Sequence, residues 1–251
     1  MSTFVLIHGG WHGAWCWNRV SRLLEDAAHR VIAPDLPAHG DDPTPLSARP
    51  YELYVPKVCE VLEQQSEPAI LVGHSSGGML ITEAAQKRPN RVKVLVYLSA
   101  FLLPPNSSPQ DIVLADAESI LQSCVVVHME KRLSVVKPEC AKQVFYADCT
   151  DEDATWAISR LQPEPLIPRG LLTGHNAKNS GATLARIPRV YIECLHDKAL
   201  GPATQRKMYT NLPCQKIYSL STGHSAFLSA PRQLVKCLFD IAATFPSSNR
   251  S

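Results

Sequence analysis

Several features that mark specialised proteins are scarce or missing in this chain. Of its 251 residues only 19% are charged, the formal net charge is +2, and no long basic run is present. Nucleic acid and membrane surfaces are therefore not expected partners. No apolar run approaches membrane-spanning length. Met1-Ser2-Thr3 leads straight into the short run Phe4-Val5-Leu6-Ile7, without the basic segment and long apolar core of a secretory leader. A cytoplasmic location is the expectation. Eight cysteines (Cys16, Cys59, Cys124, Cys140, Cys149, Cys194, Cys214 and Cys237) stand singly, and no pair has C-x-x-C spacing. That pattern indicates neither a disulfide framework nor a thiolate metal site. Several lie in apolar surroundings, as buried free thiols do. No metal, no cofactor, no internal repeat and no low-complexity segment is expected.

What remains is an ordinary globular composition, 45% hydrophobic, and a length suited to one sizeable α/β domain with an insertion. Short apolar runs at 4–7, 31–33, 69–72 and 92–98 read as buried parallel strands. Helical segments fall between them, at about 15–28, 51–65 and 76–87. Pro56 predicts a kink or a late start in the second. Strand and helix alternating at short spacing imply a mostly parallel, doubly wound sheet of about six strands with helices on both faces. From 104 to 181 the rhythm breaks. Pro104-Pro105-Asn106-Ser107-Ser108-Pro109 and Pro163-Glu164-Pro165-Leu166-Ile167-Pro168 punctuate this stretch. It reads as an inserted, mainly helical cap, with a strand or two such as 123–128, that shapes a pocket and selects substrate. The core resumes with a strand at 189–194, a helix at 202–210, a strand at 215–220 and a final helix at 230–243. The expected division is core 1–103, cap 104–181 and core 182–251.

The chemistry gathers at strand ends. Ile70-Leu71-Val72 runs into Gly73-His74-Ser75-Ser76-Gly77 and then a helix, the strand–turn–helix setting of a G-x-S-x-G nucleophile elbow. Ser75 must project from a strained turn, and Gly73 and Gly77 remove side chains that would collide there. The following helix aims N–H groups at the place where an oxyanion would form. Asp197 and His224 follow two later strands. Ligand sites of open α/β sheets lie at that edge. Ser75 is a poor nucleophile until His224 takes its proton, and Asp197 would fix the imidazole tautomer and stabilise the imidazolium.

The order Ser, Asp, His is that of α/β-hydrolases, and His8-Gly9-Gly10 resembles the element supplying their second oxyanion donor. Four stretches look like one branch of that superfamily: Phe4 to Trp15, the elbow, Tyr191 to Leu200 with Gln205-Arg206, and Gly223 to Pro231. The branch includes plant methylesterases (methyl salicylate and methyl jasmonate esterases), hydroxynitrile lyases and bacterial pyrethroid-hydrolysing carboxylesterases. The likeness covers both flanks of the chain and the cap only loosely. It implies an α/β-hydrolase fold and a cofactor-independent serine carboxylesterase, monomer or homodimer, acting on small to medium apolar esters of methyl, aryl or pyrethroid type. It also implies that the N–H groups of Gly10 and Ser76 hold the oxyanion. Hydroxynitrile lyases of the branch carry a threonine after the first-strand histidine and a lysine after the catalytic histidine. Gly9 and Ser225 stand there instead, leaving no cation beside His224 for departing cyanide, which favours the esterase over a lyase or a cofactor-free oxygenase. The intact Ser, Asp, His set argues against a ligand receptor. Ser76 replaces the leucine usual in the plant enzymes.

Trp11 and His12, in the loop after the first strand, are candidate substrate contacts, His12 alternatively a brace for that loop. His74 is expected to pack or hydrogen-bond beneath the elbow. His39, His128, His175 and His196 are expected at the surface or in the cap, and Trp15 and Trp17 in helix packing.

Overall fold

The structure, a computed structural model, describes residues 1–104, 107–166 and 184–246. The first half alternates as the sequence implies. Strand β1 (Thr3–Ile7) is followed by a 3-10 turn at Ala14–Trp17 and helix α1 (Asn18–Asp26), then β2 (Arg30–Ile32), α2 (Tyr51–Glu63), β3 (Ala69–His74), α3 (Gly77–Lys87) and β4 (Val92–Leu98). Helix α2 runs unbroken through Pro56 from Tyr51 onward, so the proline delays nothing. Its buried face, Tyr54, Val55, Val58 and Leu62, packs on the sheet, and packing of this kind outweighs one missing backbone donor.

The insertion carries α4 (Pro109–Ala115), α5 (Leu121–Cys124), β5 (Val125–His128), β6 (Leu133–Val136), α6 (Pro138–Phe145), α7 (Asp151–Ile158) and β7 (Glu164–Pro165). It is mainly helical but holds a small antiparallel sheet in the order β5-β6-β7. β7 pairs Ser134 with Glu164, a strand too short to show in a periodicity reading. The core resumes with β8 (Arg189–Cys194), α8 (Pro202–Asn211), β9 (Lys216–Leu220), a one-turn helix α9 (Ala226–Ser229) and α10 (Pro231–Thr244).

The main sheet has six parallel strands in the order β2-β1-β3-β4-β8-β9. Period-two alternation divides its side chains between two apolar layers. Val5, Ile7, Leu71, Leu95, Tyr97 and Tyr191 pack with α2, α3 and α8 on one face. Phe4, Leu6, Val72, Val96 and Ile192 pack with α1 and α10 on the other. Burial on both faces explains why the strands read as continuous apolar runs. Among the described residues no helix is long and apolar enough to cross a membrane.

Candidate active site

β3 lies between β1 and β4, so its C-terminal end opens where the chain's direction of winding reverses, the crevice in which such sheets receive ligands. Ser75 stands there with φ +53°. This left-handed conformation costs a non-glycine residue about 1–3 kcal/mol and persists only when its surroundings impose it. Here the Ser75 N–H donates to the Leu98 carbonyl at 3.3 Å, and its own carbonyl accepts from Phe101 and Gly78 at 3.0 and 3.1 Å. The turn is also crowded. A Cβ on Gly73 would meet the backbone of Gly77 and Gly78 at 2.7–2.9 Å, and one on Gly9 would meet the Ser75 Cβ at 2.7 Å. Because the obstacles at Gly73 are backbone, Gly73→Ala should destabilise the protein by about 2 kcal/mol or more, read as a lowered midpoint in denaturant unfolding.

Asp197 and His224 come together in loops after β8 and β9. The His224 Nδ1 is 2.7 Å from Asp197 Oδ2, and both residues are only 1% exposed. The carboxylate is thoroughly held. Oδ1 accepts the N–H groups of Ala199 (2.7 Å) and Leu200 (2.9 Å). Oδ2 also accepts from the Ser99 hydroxyl and, at 3.4 Å, from the Gln205 amide. An acceptor-only carboxylate facing Nδ1 makes that nitrogen the donor and leaves Nε2 with a free lone pair. Ser99, itself at φ +40° at the end of β4, escaped the sequence reading. Its only local signal is its place after a strand, where many serines have no such role.

The elbow and the histidine loop are tied directly. His74 donates from Nε2 to the His224 carbonyl oxygen at 3.0 Å, and the two rings lie 4.5 Å apart. His74 therefore does hydrogen-bond beneath the elbow. Burial, followed by the neighbouring histidines, pushes its pKa well down, so it stays neutral and adds no charge beside His224.

The loop after β1 brings Gly10 to Ser76. The Gly10 N–H donates to the Ser76 hydroxyl oxygen at 2.8 Å. The small leucine-to-serine departure in the elbow thus places a polar atom on one of the two expected oxyanion donors. His12 braces this loop. One ring nitrogen bonds the Gly10 carbonyl and the other the Tyr146 hydroxyl, each at 2.8 Å, with the residue 1% exposed. Burial pushes its pKa down to about 3. With both nitrogens engaged, no ring polar atom remains for a substrate. Trp11 is partly buried at φ +61°, its ring 6.0 Å from Phe145, which in turn lies 5.6 Å from the His224 ring. Trp17 is fully buried, and Trp15 packs edge-on against Trp156.

Of the remaining histidines, His128 and His196 are exposed, and His175 lies outside the described residues. His39 differs from expectation. It is 1% exposed, with Nε2 2.9 Å from the Glu164 carboxylate. Burial alone would lower its pKa, but Glu164 outweighs it and raises the value. The partner lies 125 residues away, beyond the reach of any local pattern.

Glu164 is one of three cap carboxylates that accept a backbone N–H from a loop of the site. Asp116 takes that of Gly201 at 2.7 Å, beyond Asp197; Asp148 takes that of Gly223 at 2.8 Å, beside His224; Glu164 takes that of Trp11 at 2.9 Å, beside Gly10.

The chain belongs to the alpha/beta hydrolase family, whose pattern it matches over residues 4–236. It is similar to an alpha-hydroxynitrile lyase (33% identical over 96% of this chain and 97% of that one) and to methylesterase 1 (32%, over 96% of each), both from Arabidopsis thaliana. Among solved structures, a pyrethroid hydrolase from Sphingobium faniae JZ-2 superposes with a TM-score of 0.83 at 30% identity, over 96% of this chain and 97% of that one.

Proposed function

We propose that the protein is a cofactor-independent carboxylic ester hydrolase in which Ser75 is the nucleophile, His224 the general base and acid, and Asp197 its orienting partner. The observation that carries this reading is the buried, multiply donated Asp197 carboxylate at 2.7 Å from His224 Nδ1, in a loop bonded through His74 to the elbow of Ser75. His224 Nε2 takes the Ser75 proton as Oγ attacks the ester carbonyl. The N–H groups of Gly10 and Ser76 receive the oxyanion, the Gly10 N–H exchanging its bond to the Ser76 hydroxyl for one to substrate. His224 then protonates the leaving alkoxide, and a water that it deprotonates releases the acid. The Phe145 ring beside His224, with the Trp11 ring packed against it, supports apolar esters of small to medium size, of the methyl, aryl or pyrethroid type. The methylesterase and pyrethroid-hydrolase names of the relatives point the same way.

Treatment with a fluorophosphonate, followed by intact mass spectrometry and peptide mapping, should give one adduct on Ser75. A p-nitrophenyl ester series of increasing acyl length should give measurable turnover that ranks the size of the pocket. An adduct elsewhere, or none, would overturn the assignment. The second reading, a cyanohydrin lyase using the same histidine, is favoured by the alpha-hydroxynitrile lyase relative. It predicts cyanide release from mandelonitrile with little ester turnover. The residue after His224 is Ser225, buried and uncharged, which favours the hydrolase.

A further inference from the structure

The peptide next to the expected oxyanion donor Gly10 is held from outside its own loop. Trp11 donates its N–H to Glu164 Oε2 at 2.9 Å, accepts the Gln162 N–H on its carbonyl at 2.9 Å, and donates its indole N–H to the Ser134 carbonyl at 3.3 Å. All three partners belong to the cap. The need for them is conformational: a bulky residue at φ +61° occupies a region that large side chains rarely adopt, so the turn does not hold itself. Of the three, the carboxylate makes the strongest bond, because an ionised acceptor is shorter and tighter than a neutral one.

Glu164 is itself fixed in place. The same Oε2 lies 2.9 Å from His39 Nε2, the Tyr54 hydroxyl reaches Oε1 at 3.5 Å, and the side chain is 13% exposed. His39, whose pKa this carboxylate raises, supplies the close polar partner that a largely buried carboxylate requires. With Gly10 and Ser76, Glu164 also lines a cavity of about 10 Å³.

We propose that Glu164 is a positioning residue for ester hydrolysis: its carboxylate pins the Trp11 peptide so that the Gly10 N–H is presented to the acyl group on Ser75. Reach is what matters, since the bond to the Trp11 N–H depends on where the acceptor oxygen sits. The inference rests on the ester-hydrolase reading and on Gly10 as an oxyanion donor, and it gives the cap a part in the chemistry beyond shaping a pocket.

Two conservative variants of the full chain separate reach from charge. Glu164→Asp keeps the charge but withdraws the carboxylate by one methylene, while Glu164→Gln keeps the length and an acceptor oxygen but removes the charge. Turnover of p-nitrophenyl acetate, too short to depend on the outer pocket, is measured per Ser75 site titrated with fluorophosphonate, so that misfolded molecules do not count. Hydrogen exchange of the segment 9–13 is followed in parallel. Glu164→Asp should lower kcat by about 10- to 100-fold, the effect of displacing a catalytic group by a fraction of an ångström to one ångström. Its KM should stay within about threefold, and exchange at 9–13 should quicken. Glu164→Gln should retain kcat within about fivefold. The opposite order, Gln impaired and Asp normal, would overturn the proposal, as would unchanged kcat per site in both variants. A wild-type chain that neither labels on Ser75 nor turns over ester would instead overturn the hydrolase reading beneath it.

Discussion

Ser75→Ala should reduce kcat for p-nitrophenyl esters by about 10⁴-fold or more while the protein unfolds at nearly the wild-type temperature. Both halves follow from the elbow's construction. Its bonds run through the Ser75 N–H and carbonyl, to Leu98, Phe101 and Gly78, and none of them uses the hydroxyl. Alanine meets the same left-handed strain at φ +53° and keeps every one of those bonds. What disappears is the atom proposed to form the acyl-enzyme, so the remaining rate reflects whatever the expected oxyanion donors and binding contribute. Steady-state kinetics and a thermal melt on the same preparation check both halves. Hydrolysis at the wild-type rate in a well-folded variant would remove Ser75 from the mechanism.

Asp197→Asn should cost about as much in kcat, on the order of 10⁴-fold, the scale seen when an analogous buried aspartate is amidated in another serine hydrolase. The geometry says why. Oδ1 accepts two backbone N–H groups, from Ala199 and Leu200, so the amide of asparagine is obliged to place its oxygen there. Its NH2 then occupies the Oδ2 position, 2.7 Å from His224 Nδ1, and donates where the carboxylate accepted. His224 must answer with an unprotonated Nδ1, moving its proton to Nε2 and losing the lone pair that accepts from Ser75. The Ser99 hydroxyl, which also donates to Oδ2, would have to turn away. Fluorophosphonate labelling should slow in parallel with turnover, because both require the same proton transfer. Labelling at the wild-type rate would show that Asp197 does not govern the tautomer.

How much of this was legible in the chain depends on sequence distance. The strands and the turns that carry Ser75, Asp197 and His224 announce themselves locally, through apolar runs ending in glycine or polar clusters. Continuous apolar runs predict strands buried on both faces, and the two core layers show why. Helix α2 ignores Pro56 because the packing of its buried face, invisible to a propensity argument, decides the matter. The short helix at Ala226–Ser229 falls between the strand at 215–220 and the helix at 230–243, where the sequence predicts no element. The burial of His39 and its pairing with Glu164 are illegible for a different reason. Each looks like an ordinary cap or loop residue until the fold sets them 2.9 Å apart, and nothing within a dozen residues of either encodes that meeting.

The three cap carboxylates also bear on the order in which the molecule matures. Their contacts span 85, 75 and 153 residues of chain, and only the last, Glu164 to Trp11, is longer than every pairing in the main sheet, the longest of which joins Leu95 to Arg189. Ordering such long spans means meeting a large loop-closure entropy before any contact rewards it. Of the three, the Glu164–Trp11 contact is therefore the one expected to form after the sheet. On the proposed reading, the Gly10 donor is then set in place only when the inserted segment closes back on the loop after β1.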